Sequence, residues 1–415
     1  MSMTVESIDV LQPDDFVAHG YPHETWARLR REDPVHYVER KIDEPYWAIT
    51  RYQDLVDISR RPETFESAPR LFMSFDTTAG EPLPIRMMLN MDPPEHGDYR
   101  TLVNKSFTPR AMKSIIDQVD GIATDILDTR MGKGDHEGEI DFVQSVSALL
   151  PIWVIAEMLG VPRSDWETLF DWTNRIVGSA DPEYQEEGKD AEQTRQDARI
   201  GLFQYFNDLT EARRLSPRDD LVSALIAARI DGEPLPKLEL MSYYMLLVVA
   251  GNETTRNATT SGLLALIEHP HLLRDVQANP RLVKPLVEEI LRWSSPVIHF
   301  CRTPNEDVEI GGKKIHAGER LVLFYPSANR DESVFDAPNE FRLDRTPNRH
   351  VAFGIGEHVC LGAHVARLEL QVIFRHLIER LDHVELAGPI ERLRSTAVGG
   401  IKHMPIRYGL RTPRP

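Results

Sequence analysis

Cysteine is scarce in this chain of 415 residues, which contains only Cys301 and Cys360. Two thiols cannot form a disulfide framework or a four-cysteine zinc site, so both of these ways of stabilising a fold are excluded. Sparing use of cysteine is typical of proteins in a reducing compartment, and we therefore expect a cytoplasmic location. If a cysteine carries chemistry here, it does so as a single sulfur atom.

Basic residues are in deficit, and the sequence has no long apolar run. The chain has 48 Lys and Arg against 65 Asp and Glu, a formal net charge of −17, and no stripe dense in Lys and Arg, which argues against nucleic acid as a partner. Residues 1–20 contain acidic side chains and no apolar core, so we expect an N-terminal extension rather than a signal peptide. The longest strongly apolar run, residues 245–250, is far shorter than the ~20 residues that span a bilayer, and we expect no membrane anchor.

The hydrophobic pattern of the chain is mainly helical. Residues 111–230 are typical of a series of helices, and Leu238 to His269, between two prolines, is the longest helical candidate. Residues 35–49 and 297–324 contain short aromatic and β-branched stretches that predict small strands. No repeat or linker divides the chain. We therefore expect one large domain, residues 1–415, that is mainly α with small β-sheets.

Cys360 lies in a glycine-punctuated loop with the sequence Phe-Gly-Ile-Gly-Glu-His-Val-Cys-Leu-Gly, from Phe353 to Gly362. A segment with helical periodicity follows at once, so Cys360 lies just before a helix begins. Free backbone N–H groups and the positive end of the helix dipole favour a thiolate over a thiol there. Glycine also lets the backbone approach a partner closely. Taken alone, a single cysteine is more often a buried structural residue, and it is the whole pattern that favours a ligand.

The longest predicted helix changes from apolar to polar at its centre. Its first half is apolar on all sides, which predicts burial, and then Ala250, Gly251, Asn252, Glu253 and Thr254 follow. Glycine weakens a helix, and a buried carboxylate without an evident partner is costly, so this segment should have a function. The alternative is a helix that reaches the surface at this point.

Two pairs of polar residues occur at helical spacing. His96 and Arg100 are four residues apart and follow two prolines, and Glu289 and Arg292 are three residues apart. Taken alone, such pairs usually lie on the surface and contribute little to stability. Arg302 follows in a strand-like segment that also contains apolar side chains.

The Cys360 loop resembles, position by position, the cysteine-ligand loop of the cytochrome P450 family, Phe-Gly-x-Gly-x-His-x-Cys-x-Gly. The polar helix segment, the two pairs and Arg302 also match the family in order and spacing, so the resemblance runs from about residue 20 to the C-terminus. It implies the mostly helical cytochrome P450 fold, with haem b (iron protoporphyrin IX) as the cofactor. The Cys360 thiolate would be the axial ligand of the iron, and its electron donation favours cleavage of the O–O bond.

The same resemblance implies which residues contact the haem. His96 and Arg100 would bind a propionate, because a planar guanidinium matches a carboxylate, and Arg302 would reach a propionate from its strand. Further contacts with the haem are implied for Ala250, Gly251, Phe353, His358 and Gly362.

The implied reaction is monooxygenation, in which one atom of O2 enters a C–H bond and the other leaves as water. By the same likeness Thr254 would hydrogen-bond the activated oxygen and Glu253 would relay protons from solvent, so these two are the candidate catalytic residues. Glu289 and Arg292 would form a buried structural lock near the cysteine loop. The alternatives are a haem-thiolate sensor without turnover and a peroxygenase driven by hydrogen peroxide, and both would be expected to lack the Glu253–Thr254 pair.

The resemblance extends to the substrate and the electron donor. The motifs are similar to those of the bacterial branch that acts on steroids, branched fatty acids and terpenoids, which implies a lipophilic substrate. The chain carries no flavin or iron–sulfur module, so a separate ferredoxin with its ferredoxin reductase would supply electrons, docking on basic residues near the Cys360 loop. The candidate substrate-pocket residues are mostly apolar or aromatic, as such a substrate requires: Phe72, Met73, Val249, Val297, Ile298 and Phe300.

Overall fold

The structure is a computed structural model that describes residues 8–40, 44–73, 86–134, 136–179 and 181–411. The architecture is mainly helical with small sheets, as the hydrophobic pattern predicts. The helices of the described residues are α1 Pro13–His19, α2 His23–Glu32, α3 Tyr52–Ser59, α4 Glu95–Asn104, α5 Pro109–Arg130, α6 Leu149–Leu159, α7 Trp166–Val177, α8 Ala191–Leu215, α9 Leu221–Ala227, α10 Lys237–Glu268, α11 Pro270–Ala278, α12 Val283–Ser294, α13 Tyr325–Ala328 and α14 Ala363–Arg380.

The strands are short and fall into several small sheets. One sheet has five strands in the order β1-β2-β10-β7-β3, and another has three in the order β11-β14-β4. The strands are β1 Val35–Val38, β2 Tyr46–Ile49, β3 Phe65–Glu66, β4 His136–Asp141, β5 Arg229–Ile230, β6 Glu233–Pro234, β7 His299–Pro304, β8 Val308–Ile310, β9 Lys313–Ile315, β10 Leu321–Phe324, β11 Leu381–Leu386, β12 Glu391–Arg392, β13 Ile401–His403 and β14 Pro405–Leu410.

The five-stranded sheet joins the first part of the chain to a segment far along the sequence. β1 and β2 form the antiparallel hairpin that the aromatic and β-branched pattern predicts, with Val35 opposite Ile49. β10 then adds to β2 in parallel, with Leu321 opposite Trp47, and β7 adds to β10 antiparallel. This sheet therefore fixes β7, which carries Arg302, beside the N-terminal segments.

The predicted N-terminal extension is described only in part. Residues 1–7 lie outside the described residues. Residues 8–20 include α1 and place Leu11 and Phe16 in a core cluster around Trp26. Contacts with the rest of the chain therefore hold this segment in place.

The long helix α10 lies at the centre of the fold. It packs against α6, α7, α8, α12 and α14, and its apolar first half is buried, as predicted. Gly262 allows the closest of these contacts, because a Cβ at this position would lie 2.5 Å from Phe374 and 2.6 Å from Ile290. None of the described helices is both long enough and apolar enough to cross a membrane. The arrangement brings the middle of α10 and the segment before α14 into one region.

Candidate functional site

The Cys360 loop forms a tight turn that depends on glycine. Gly354 and Gly356 have positive φ angles of +68° and +79°, which side chains rarely adopt. At Gly356 a Cβ would also lie 2.2 Å from the carbonyl oxygen of Ser59. The Cys360 N–H donates to the Phe353 carbonyl at 2.8 Å, and α14 begins three residues after the cysteine. The sulfur therefore lies at the start of α14.

The protein alone does not hold Cys360 as a thiolate. Desolvation raises the pKa of Cys360 above its usual value and outweighs the Gly362 N–H and the guanidinium groups of Arg100 and Arg367, which lower it. The helix start does lower the thiol pKa, through the Gly362 N–H, but desolvation has the larger effect. A bound metal ion would reverse the balance, because a thiol that coordinates a metal ion loses its proton.

Ala250 of α10 and Cys360 before α14 are both accessible. Ala250 is exposed in the middle of α10, after the buried residues Leu246, Leu247 and Val248 and the half-buried Val249. Cys360 is exposed as well, yet its thiol is strongly desolvated, so the sulfur faces an interior hollow rather than open solvent. Because α10 packs against α14, these two accessible surfaces fit the two faces of a flat cofactor.

Two arginines and two histidines converge beside the loop. His96 and His358 stack with ring centroids 4.0 Å apart. Desolvation, followed by the charges of Arg302, His96 and Arg100, lowers the pKa of His358 to about 3. Arg100 donates to the Val359 carbonyl at 2.7 Å, and Arg302 is only 4% exposed. Within the described part of the chain, neither arginine forms an ion pair with a carboxylate.

The two histidines have partners in the protein, whereas the two arginines still need an anion. Glu357 lies 3.1 Å from His96 Nδ1, and Ser67 lies 3.1 Å from His358 Nε2. An unpaired buried cation such as Arg302 is costly, and the half-buried Arg100 also lacks an anion, so these two arginines fit the two propionates of a haem. The residues present at the site therefore fit the cofactor that the resemblance implies.

The two candidate catalytic residues on α10, Glu253 and Thr254, bind different partners. Glu253 is 3% exposed and forms a buried ion pair with Arg256, one turn further along the helix. Arg256 in turn donates to Asn174 of α7 at 3.0 Å. The half-buried Thr254 donates its hydroxyl to the Ala250 carbonyl at 3.1 Å. The sequence left Glu253 without an evident partner, although the spacing of three residues to Arg256 could have indicated one.

Glu289 and Arg292 form a buried ion pair, and both side chains are 0% exposed. Arg292 donates to Glu289 at 2.6 and 2.9 Å and to the carbonyls of Asn329 and Pro338 at 3.0 and 2.8 Å. Arg345, which the sequence did not indicate, also donates to Glu289, at 3.2 Å. The pair therefore ties α12 to the irregular segment that precedes the Cys360 loop.

The candidate pocket residues fall into two groups. Met73 and Ile298 are buried in the core cluster around Trp26, and Ile298 is 0% exposed, so neither presents a free surface to a cavity. Phe72 packs against Phe300 with ring centroids 5.1 Å apart. The half-buried residues that can still contact a ligand are Phe72, Val249, Val297 and Phe300.

The buried Glu369 of α14 also lies in this region, and the sequence did not indicate it. Glu369 is 3% exposed, and its Oε2 has no hydrogen-bond partner. Desolvation raises the pKa of Glu369 to about 8, against a smaller lowering by a hydrogen bond from Thr255 of α10. The helical periodicity of α14 gives no sign of this carboxyl group, because its burial depends on the packing against α10.

We expect Glu369→Gln to stabilise the protein at neutral pH. The folded state holds the Glu369 proton more tightly than the unfolded state, so the contribution of Glu369 to stability is fully present below pH 4.5 and is lost as the pH rises from 4.5 to about 8. At pH 7 the glutamine variant should be more stable by roughly 3 kcal/mol, at 1.36 kcal/mol per pKa unit. Urea unfolding across this pH range measures the difference. Glu379→Gln, at an exposed position of the same helix, is the control, and an unchanged pH slope in Glu369→Gln would contradict the assignment.

Comparison with known proteins identifies the family. The family model described as Cytochrome P450 matches residues 64–399. The chain is 37% identical over 400 residues to a steroid C26-monooxygenase of Mycolicibacterium smegmatis, covering 93% of this chain and 90% of that protein. It is 35% identical over 409 residues to the linalool 8-monooxygenase of Pseudomonas putida, covering 96% of this chain and 98% of that protein.

A solved structure gives the same result at the level of the fold. A Mycobacterium marinum cytochrome P450 in complex with pseudoionone superimposes with a TM-score of 0.85 at 36% identity, covering 92% of this chain and 94% of that chain. The resemblance seen in the motifs and the predicted fold class are thereby confirmed. The chain belongs to the cytochrome P450 family of monooxygenases.

Proposed function

We propose that this monooxygenase hydroxylates a lipophilic small molecule of the steroid, terpenoid or fatty-acid class, using O2 and two electrons from a separate ferredoxin with its reductase. Membership of the family implies haem iron and the use of O2. The observation that carries the proposal is the pair of accessible surfaces at Ala250 and Cys360, which fit the two faces of a haem. The names of the relatives, which act on a steroid and on linalool, support the substrate class.

The bound haem supplies the activation of O2, and the chain supplies binding, orientation and protons. Cys360 would hold the iron, and Arg100 and Arg302 would neutralise the two propionates, which removes the cost of burying Arg302 unpaired. The half-buried apolar side chains of Val249 and Phe300 would exclude water from the substrate side.

Thr254 and Glu253 would handle the proton. The Thr254 hydroxyl now donates to the Ala250 carbonyl, and rotation about χ1 would turn the same O–H towards the ligand space. Glu253 is held by Arg256, so the carboxylate must leave this ion pair before it can carry a proton from solvent. The Thr254 hydroxyl, which would hold a proton at the site, is therefore not hydrogen-bonded to Glu253, which would supply the next proton.

Thr254→Ala should uncouple reductant consumption from product formation. Removal of the hydroxyl leaves the haem contacts intact but takes away the proton-holding group, so product per reductant should fall on the order of tenfold while peroxide rises. Thr254→Ser keeps the hydroxyl and is the matched control, expected to retain most of the coupling. Coupling that is undiminished in the alanine variant would remove Thr254 from proton delivery.

The groove beside the cysteine loop supports the choice of an acidic electron donor. A cavity of about 830 Å³ lies between α3 and residues 333–349 and reaches Ile355 of the Cys360 loop. Arg60 and Arg349 line it, are exposed, and make no ion pair with the carboxylates that the structure describes. Despite the net charge of −17, this face thus offers cations to an acidic protein.

The proposed function is tested by a ligand screen followed by reconstitution. Steroids, terpenoids and fatty acids are added to the haem-loaded enzyme, and a shift of the iron from low spin to high spin reports binding near the iron. Compounds that give the shift are then incubated with O2, a ferredoxin and its reductase, and hydroxylated product is measured. The proposal fails if no lipophile gives a shift, and equal turnover with hydrogen peroxide alone would favour the peroxygenase alternative.

A further inference from the structure

A second cavity, of about 240 Å³, lies at the C-terminal half of α10. Its walls come from α1, the start of α2, residues 261–268 of α10, the end of α12 and β12. None of the residues that we assign to the haem or to proton delivery lines it. At ~30 Å³ per water molecule the space exceeds what one or two waters would fill. Phe16, Leu264 and Trp293 give the cavity apolar walls.

A buried and unmatched cation lines this cavity. Arg330 is 6% exposed, and its guanidinium carbon lies 3.6 Å from the centre of the Trp293 ring. Its Nη1 donates to Asn339 at 3.3 Å, and its Nε has no hydrogen-bond partner. Over the described ranges of the chain, Arg330 forms no ion pair. Stacking on the indole fixes the guanidinium plane and leaves its edge for a ligand.

The surroundings of Arg330 do not supply the missing negative charge. Desolvation, followed by the charge of the nearby Arg292, lowers the pKa of Arg330 to about 9, against a smaller opposing effect of Glu289. Arg292 is itself matched by Glu289, so that carboxylate is already engaged. Arg392 lines the same cavity, is half-buried, and has no ion pair within the described residues. Glu268, at the exposed rim, is the only carboxylate among the lining residues.

A second buried polar atom of a lining residue also lacks a hydrogen-bond partner. Nδ1 of His23, another lining residue, is buried and has no hydrogen-bond partner. Desolvation, followed by Arg330 and two further arginines, lowers the pKa of His23 well below its usual value, so the ring is neutral at physiological pH. An anion between Arg330 and Arg392 would supply both guanidinium groups with the negative charge that their surroundings lack.

We propose that this cavity is a second binding site for a small carboxylate with an apolar body. A carboxylate matches the planar edge of a guanidinium, and Arg392 provides a second cation for the same group. The apolar walls at Phe16, Leu264 and Trp293 would receive the rest of the ligand. The cavity is separate from the monooxygenation site, because it lies along residues 261–268 of α10, beyond Thr254.

Calorimetric titration of the haem-loaded enzyme with benzoate tests this assignment. Benzamide, which has the same shape without the charge, is the comparison ligand. Benzoate should bind at least about tenfold more tightly, since a hydrogen bond to a charged group contributes 1.5–3 kcal/mol. Equal binding of the two ligands, or no heat with benzoate at millimolar concentration, would overturn the proposal and leave a cavity that holds water only.

Three variants locate the binding. Arg392→Gln, at a half-buried position in β12, should weaken benzoate binding about tenfold or more. Arg394→Gln removes a neighbouring cation that pairs with Asp14 and does not line the cavity, so binding should stay within about twofold. Arg330→Gln should weaken binding as well, if it folds. Benzoate bound in the haem cavity would be insensitive to Arg392→Gln, and that result would overturn the proposal.

Discussion

Replacement of Cys360 by serine should abolish the long-wavelength absorption band of the reduced CO complex and reduce monooxygenation by at least a thousandfold, about 4 kcal/mol in the activation barrier. The hydroxyl of serine is a far weaker electron donor than a thiolate, and O–O cleavage depends on that donation. The backbone of the loop should not change, because the N–H of residue 360 donates to the Phe353 carbonyl whatever the side chain. Loss of function should therefore occur in a folded protein.

The chain offers a matched control in its other cysteine. Cys301 lies in β7, is 0% exposed, and burial raises the pKa of its thiol to about 12, so it behaves as a small apolar side chain. Cys301→Ser should cost about 1–3 kcal/mol in stability, because it buries a hydroxyl, and should keep the absorption band. Survival of the band in Cys360→Ser, or its loss in a haem-loaded Cys301→Ser, would contradict the assignment of the ligand.

The elements of the fold that local sequence determines were predicted closely. β1 and β2 lie within the predicted stretch 35–49, and the long helix was predicted to within one residue at each end, Lys237–Glu268 against Leu238–His269. Apolar periodicity and flanking prolines are local signals. The parallel pairing of β10 with β2 was not predictable in this way, because it joins segments about 270 residues apart.

The site shows the same division between local and distant effects. The pattern around Cys360 identified the loop and the helix start, but it did not reveal the desolvation that raises the thiol pKa, because desolvation depends on residues that are distant in the sequence. Likewise, Glu289 and Glu369 have partners on other segments of the chain. Arg345 donates to Glu289, and Thr255 hydrogen-bonds to Glu369. A motif indicates the type of residue that chemistry needs, whereas its electrostatic surroundings follow from packing.

Glu289→Gln should lower the free energy of unfolding by about 3–5 kcal/mol and impair loading with haem. Glu289 is 0% exposed and accepts from Arg292, Arg345 and Asn348, as well as from the Arg342 N–H. Glutamine keeps the shape but removes the charge, which leaves two buried guanidinium groups without a counter-ion. These guanidinium groups would then no longer anchor residues 329–348, the segment that leads into the Cys360 loop.

The neighbouring Glu288 provides the control that separates burial from charge. It pairs with Arg367 and His350, its side chain is 31% exposed, and these partners lower its pKa to about 2 against the opposing effect of desolvation. Because solvent screens this pair, Glu288→Gln should cost only about 1 kcal/mol. Urea unfolding and the amount of haem retained after purification measure both variants. Equal losses would mean that the irregular segment does not depend on the buried pair, whereas a large loss confined to Glu289→Gln would show that the cysteine loop is held in place from α12.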